Sequence, residues 1–244
     1  MTEKRYAVLD GIRGFALLNM IVYHAVWDFV YVLDFRWQWY RSEAAYIWQQ
    51  YICWTFIFLS GFCQPLGRKN LKRGIQVFLA GILVSFATVV FVPQNRILCG
   101  VLTLLGSCML LVFLLEPVLK KCLAEIGFLA SLLLFALTRN INRGYLGFEN
   151  LNLYKLPGAL YRNLLTAYLG FPPNGFYSSD YFSLFPWLFL YIAGYFFCRV
   201  WNENGWMHIL ERGKSQLLEW FGRRSLVIYL VHQPVMYLIF ACLF

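Results

Sequence analysis

Residues 9–28 read LDGIRGFALLNMIVYHAVWD, an apolar run of membrane-span length that carries Asp10, Arg13, His24 and Asp28. Each of those groups opposes insertion, by about 2.5–3.5 kcal/mol at mid-helix for a charged side chain. Wound as a helix with Asp10 at zero, Arg13 falls at about 300°, His24 at about 320° and Asp28 back near 0°, so the four share one face. Arg13 and His24 stand about 16 Å apart along the axis, half the hydrocarbon thickness. Polar groups on one face of a span normally turn toward a bundle interior or a wet cavity, so the stretch predicts a cavity-lining first helix. The alternative for Asp10 and Arg13 is an i,i+3 pair at the inner end, with Arg13 snorkelling and Asp28 at the outer interface.

The rest of the chain agrees with a membrane setting. Of 244 residues, 60% are hydrophobic and only 14% charged, against about one quarter charged in soluble domains. The expected fold is therefore all-α: a polytopic helical bundle forming a single domain over residues 1–244. Spans are predicted at about 7–31, 46–66, 75–92, 97–115, 123–138, 185–200 and 225–243, about seven in all. The net charge of +9 surrounds no nucleic-acid motif, and its basic residues cluster between the apolar runs, where they set topology. With Lys4 and Arg5 cytoplasmic, Arg68, Lys69, Lys72, Arg73, Lys120, Lys121, Arg212, Lys214, Arg223 and Arg224 also lie inside. The N-terminus is then cytoplasmic, no removable signal peptide is read, and the long connection 139–184 is outer. Its length suggests a lid or re-entrant segment. Seven cysteines without CxxC spacing indicate neither a disulfide framework nor a zinc site. Tryptophans and tyrosines near span ends, including Trp37, Trp39, Tyr40 and Trp187, read as an aromatic belt.

An arginine, ten intervening residues and a histidine on a first span, within LDGIRGFALLNMIVYH, resemble the pattern of the membrane acyltransferase family 3 superfamily. The likeness extends to a smaller group, bacterial membrane proteins related to the catalytic domain of heparan-α-glucosaminide N-acetyltransferase. It is carried by WTFIFLSGF (54–62), GVLTLLGSCML (100–110), DYFSLFPWLFLYIAGY (180–195) and SLVIYLVHQPVMY (225–237), and so covers nearly the whole chain. The resemblance implies transfer of an acyl group, usually acetyl, from cytoplasmic acyl-CoA to an acceptor at or beyond the far face. By that likeness His24 is the catalytic base and Arg13 an essential partner at the donor end. Two departures stand out. Thr103 occupies a position where relatives often have histidine, and the chain lacks the additional helices and lumenal domain of the lysosomal enzyme, so the acceptor does not carry over.

The chemistry has its own logic. Acyl transfer from a thioester needs a base, and histidine titrates near neutrality. Asp28, one turn from His24, is expected to orient the imidazole. Ser60, Thr55 and Thr103 are candidate oxyanion donors, although ordinary helix packing is the favoured account of such hydroxyls. Arg68, Lys69, Lys72 and Arg73, with Arg13, are expected to hold the phosphates of acetyl-CoA, whose pantetheine arm would run up the polar stripe as through a corridor. His232 either lines the site or satisfies the carbonyl that Pro234 leaves free. Asp180 is placed either to cap the sixth span or to meet the acceptor's amine or hydroxyl, and His208 belongs to an interfacial connector.

These readings converge on an acyl-CoA-dependent membrane acyltransferase of the bacterial cytoplasmic membrane. Its acceptor is expected to be an amino sugar, another glycan or a lipid-linked group; membrane lipids surround it, and a wet cavity among short spans is compatible with a homodimer. The alternative is a glycan or lipid transporter or flippase using the stripe as its pathway. No metal and no haem are expected, because His24 falls in the outer third of its span and His232 nearer the inner side, too far apart in depth for a pair of axial ligands.

Overall fold

The computed structural model describes residues 6–213 and 215–243; Lys4, Arg5 and Lys214 of the orientation argument lie outside the described residues. The elements are α1 (Ala7–Tyr31), α2 (Glu43–Cys63), α3 (Asn70–Phe91), α4 (Val101–Leu119), α5 (Ala124–Thr138), β1 (Tyr145–Phe148), β2 (Leu151–Lys155), α6 (Leu164–Leu169), α7 (Trp187–Glu203), α8 (Gln216–Arg223) and α9 (Ser225–Leu243). Among the described residues four helical stretches are long and apolar enough to cross a membrane: α1, α3, α4 and Ala124–Arg143, which extends α5. The other three expected spans coincide in position with α2, α7 and α9. Of these, α7 has only 17 residues, and α2 begins with Glu43 and carries Gln49 and Gln50.

The protein is mostly helical with little sheet, and the 139–184 connection contains an antiparallel hairpin, which the expected helices did not include, pairing Tyr145 with Lys155 and Phe148 with Leu151. Buried Asn140 holds its turn, donating from Nδ2 to the Glu149 carbonyl at 2.8 Å and to Asn152 Oδ1 at 3.0 Å. Short-range turn chemistry of this kind is weakly marked in an aromatic, glycine-containing sequence. The connection is a folded element, closed further by α6 and its Asn163–Thr166 capping box.

The chain divides into two compact units, residues 1–59 with 201–244, and residues 60–200. In the first, α8 lies antiparallel on the early turns of α1. A Cβ on Gly14 would overlap the Leu218 carbonyl, and one on Gly222 the Asp10 carbonyl, so two glycines set the approach. Ser215 caps α8, accepting from the Leu218 N–H at 3.4 Å. Leu17, Met20 and Ile52 then form a buried cluster against Phe221, Ile228 and Tyr229. In hydrocarbon surroundings helices gain from shape fit rather than from transfer out of water, so this close approach, and not apolarity alone, holds α1, α8 and α9 together. Beyond it, α9 runs parallel to α1, with Phe240 against Phe29 at 5.0 Å between ring centroids.

In the second unit α3 and α4 pack antiparallel, with Gly81 against Thr103 and Gly106 against the Phe78 backbone. Buried Gln64 ties three elements: its Nε2 donates to the Met109 carbonyl at 3.1 Å, its Oε1 accepts from the Tyr191 hydroxyl at 2.8 Å, and its carbonyl accepts from Asn70 Nδ2 at 2.8 Å. These bonds fix the start of α3, where the basic residues stand. Trp187, expected in an aromatic belt, is instead a core residue at 4% exposure beneath the Arg139 guanidinium; Tyr40 is buried too, whereas Trp37 and Trp39 are exposed.

Candidate active site

In the first unit the structure brings two of the singled-out residues into direct contact. His24 Nδ1 lies 2.7 Å from His232 Nε2. The ring centroids are 5.0 Å apart with planes at 25°, which is the separation of rings meeting edge to edge, so the lone pair and N–H point along the contact. The expected depth mismatch between these histidines is thus wrong. Rise along each helix gives relative depth only where the two helices start level, and α1 and α9 do not. Because α8 occupies the flank of the first turns of α1, α9 joins α1 partway along: Ile228 and Tyr229 already pack against Leu17 and Met20. His232, one turn further, arrives beside His24.

The partner atoms fix the tautomers. His232 Nδ1 bonds the Tyr229 carbonyl, which only accepts, so Nδ1 carries the proton and Nε2 of the neutral ring is the acceptor. His24 must then donate from Nδ1. Its Nε2 is left with a bare lone pair and no hydrogen bond within the described residues, on a half-buried side chain. A direct bond between the two rings also leaves no room for a haem iron between them. Among the described residues no group of three or more His, Cys, Asp or Glu side chains is arranged to hold a metal ion.

The orienting partner of His24 is accordingly His232, not Asp28 as expected. Asp28 is fully buried, and among the described residues neither carboxylate oxygen has a hydrogen-bond partner. Asp10 and Arg13 form the i,i+3 pair, Oδ1 to Nη1 at 3.2 Å, partly exposed. The continuous polar corridor from Arg13 to His24 does not form within this unit. Leu17 falls between them on the same face, is fully buried, and is sealed with Met20 against α8 and α9. Four polar positions seen in projection concealed the apolar residues that separate them along the axis.

The other expected site residues are each in a local setting, Ser60, Arg68, Lys69, Lys72, Arg73, Thr103 and Asp180 in the second unit and Thr55 and His208 in the first. The Thr103 hydroxyl donates to the Gly100 carbonyl at 2.6 Å within the first turn of α4, and Thr55, at the end of the first unit's chain, back-bonds to Tyr51 at 2.7 Å; both are helix-packing hydroxyls as they stand. Ser60 is half-buried beside the Tyr191 hydroxyl. Arg68, Lys69, Lys72 and Arg73 are exposed at the start of α3, and none makes an ion pair among the described residues. His208 is exposed in a 3-10 turn, bonded to the Gly205 carbonyl at 2.9 Å. His232 was legible as a residue of interest beside Pro234, but its partnership with His24 was not.

Asp180 caps α4 rather than the start of α7. Its Oδ2 accepts from the Val101 N–H at 3.3 Å, while Ser178 and Ser179 bind the backbone of Leu98 and of Asn95 on the same turn. Burial pushes its carboxyl up to about 6, against a smaller lowering by the Val101 N–H. An unfolded aspartate titrates near 3.9, so between these values the folded chain binds more protons than the unfolded one. The stability this group contributes is full below that range and is lost as pH rises through about 6. Asp180→Asn keeps an acceptor for Val101 without the charge, so its melting temperature relative to wild type should rise between pH 4 and pH 7.5; a constant difference across that range would refute the assignment.

Among families of known proteins, the model of the one described as heparan-alpha-glucosaminide N-acetyltransferase, catalytic, matches residues 5–234. Comparisons with curated proteins and with solved structures give no match.

Proposed function

Because the chain belongs to the heparan-α-glucosaminide N-acetyltransferase catalytic family, and so is a membrane acetyltransferase by type, we propose that it moves an acyl group, acetyl first, from cytoplasmic acyl-CoA to an amino sugar or other glycan acceptor at or across the membrane. One observation carries this reading: the unbonded Nε2 of His24, turned into a proton acceptor by the bond at Nδ1. Such a nitrogen takes the proton of an amine or hydroxyl as that atom attacks, and returns it to the departing thiol sulfur. The thioester supplies an activated acyl carbon and a good leaving group. The same lone pair would serve if the acyl group rested first on the imidazole. Asp28, one turn from His24 and fully buried with both oxygens unbonded among the described residues, is proposed as a buried carboxyl beside the site, out of direct reach of the acceptor. Arg13 at the inner end of α1, and separately Arg68, Lys69, Lys72 and Arg73, are proposed for the donor's phosphates on charge and exposure.

The matching topology has seven spans, α1 to α5, α7 and α9, with a cytoplasmic N-terminus in a bacterial inner membrane. The antiparallel α3 and α4 and the parallel α1 and α9 support it. Leu17 and Met20 fill the α1 face between Arg13 and His24, which disfavours a transporter or flippase pathway along that stripe; the thioester is accordingly proposed to reach His24 Nε2 from its open side and not along that face. The test is to incubate purified protein with radiolabelled acetyl-CoA and envelope extract, wild type beside Arg13→Ala. Wild type should label a glycan or lipid-linked product and the variant should not; no labelled product from wild type would overturn the proposal.

A further inference from the structure

We propose that His232 is a positioning residue that holds His24 as its Nδ1–H tautomer, so that Nε2 and no other atom of the ring presents a lone pair. In water a neutral histidine side chain favours the opposite tautomer, with the proton on Nε2. In that form His24 would offer a donor where a base is needed. What reverses the preference is a directed chain of two hydrogen bonds ending on a carbonyl that cannot donate: His24 Nδ1–H to His232 Nε2 at 2.7 Å, and His232 Nδ1–H to the Tyr229 carbonyl. Turning either ring over would set two lone pairs, or a lone pair and a carbonyl oxygen, against each other in a largely buried place, His232 being 7% exposed. The two bonds also polarise one another in the same sense.

The anchor is not the carbonyl that a proline-kink role would require. Pro234 lacks the N–H that would serve Leu230, four residues earlier, whereas His232 bonds Tyr229. The Tyr229 oxygen has a second lone pair beyond the one used by the helix ladder, and His232 takes it. His232 is therefore not spent on repairing its own helix; its free edge faces α1.

The catalytic value of this tautomer rests on the acyl-transfer reading, but the tautomer itself does not, and that separates the two tests. The chain has three histidines, so the side-chain nitrogens of the full protein in lipid nanodiscs are resolvable by 15N NMR, with His208→Gln to assign the third. Wild type at neutral pH should show His24 protonated on Nδ1. His232→Ala should move that proton to Nε2 and lower kcat about 10²-fold with KM for acetyl-CoA unchanged. His232→Gln sets an acceptor oxygen close to the position of Nε2 and should restore both the tautomer and most of kcat. A wild-type His24 protonated on Nε2, or an Nδ1–H signal that survives His232→Ala, would overturn the inference whatever the turnover. If wild type shows the assigned tautomer yet transfers nothing from acetyl-CoA, the tautomer assignment stands and the acyl-transfer reading falls alone.

Discussion

Replacing His24 by alanine should lower acyl transfer from acetyl-CoA by about 10²–10⁴-fold, the range a positioned general base supplies, while the chain stays folded. The two parts of that expectation come from different atoms. Catalysis is lost with Nε2, which among the described residues has no hydrogen-bond partner to lose. Stability is touched only through Nδ1, whose removal leaves His232 Nε2 without its donor, a cost of about 1–3 kcal/mol for an orphaned buried acceptor. His24→Asn sharpens the comparison: its amide nitrogen sits where Nδ1 does and can donate to His232, yet it is no base. It should therefore melt near wild type and be as inactive as the alanine variant. Thermal denaturation by tryptophan fluorescence beside acetyl-CoA turnover reads both, and a His24→Asn variant that keeps wild-type turnover would remove His24 from the chemistry.

How much of this was legible in the sequence differs from element to element. Apolar runs placed the long helices because a span needs a stretch of hydrocarbon that no soluble element of this length tolerates, and α1 and α5 agree with expectation almost to the residue. The hairpin of 145–155 was not legible. It is set by the side chain of Asn140, by Gly147 at φ 141 and by Glu149 at φ 48, none of which produces a periodic pattern. The site was half legible. A histidine on a polar face of the first span marked itself by the cost of placing it there, and that reasoning found His24. Helical projection then misled twice, adding Asp28 as partner because it shares an angle and promising a corridor because it hid Leu17. His232 was misplaced because depth was counted from helix ends, and the level at which α9 meets α1 depends on α8, whose seat on α1 is cut by two glycines 208 positions apart in the chain.

Those glycines carry the largest stability effect expected outside the chemistry. Gly14→Ala would drive a methyl into the Leu218 carbonyl and against the Gly222 nitrogen, and Gly222→Ala would meet the Asp10 carbonyl. The obstacle in each case is backbone, which cannot rotate aside as a side-chain tip does, so the two helices must part. Parting them loosens Leu17 from Phe221 and Ile228, and it shifts α9, which begins two residues after α8 ends. Overpacking of this kind costs about 1–3 kcal/mol, occasionally more, and Gly14→Val should exceed the alanine variant. Gly11 is the internal control: it lies on the same helix with nothing within 4 Å of an added Cβ, so Gly11→Ala should be neutral or stabilising by about 0.5–1 kcal/mol through backbone entropy. The Gly14→Ala and Gly222→Ala effects should fall short of additive in the double variant, because once the helices have parted for one methyl the second meets less resistance. Melting temperatures of wild type and the five variants in one detergent decide it. Equal values for Gly11→Ala and Gly14→Ala would mean that α8 does not sit on α1 as described, and the register that brings His232 to His24 would lose its foundation.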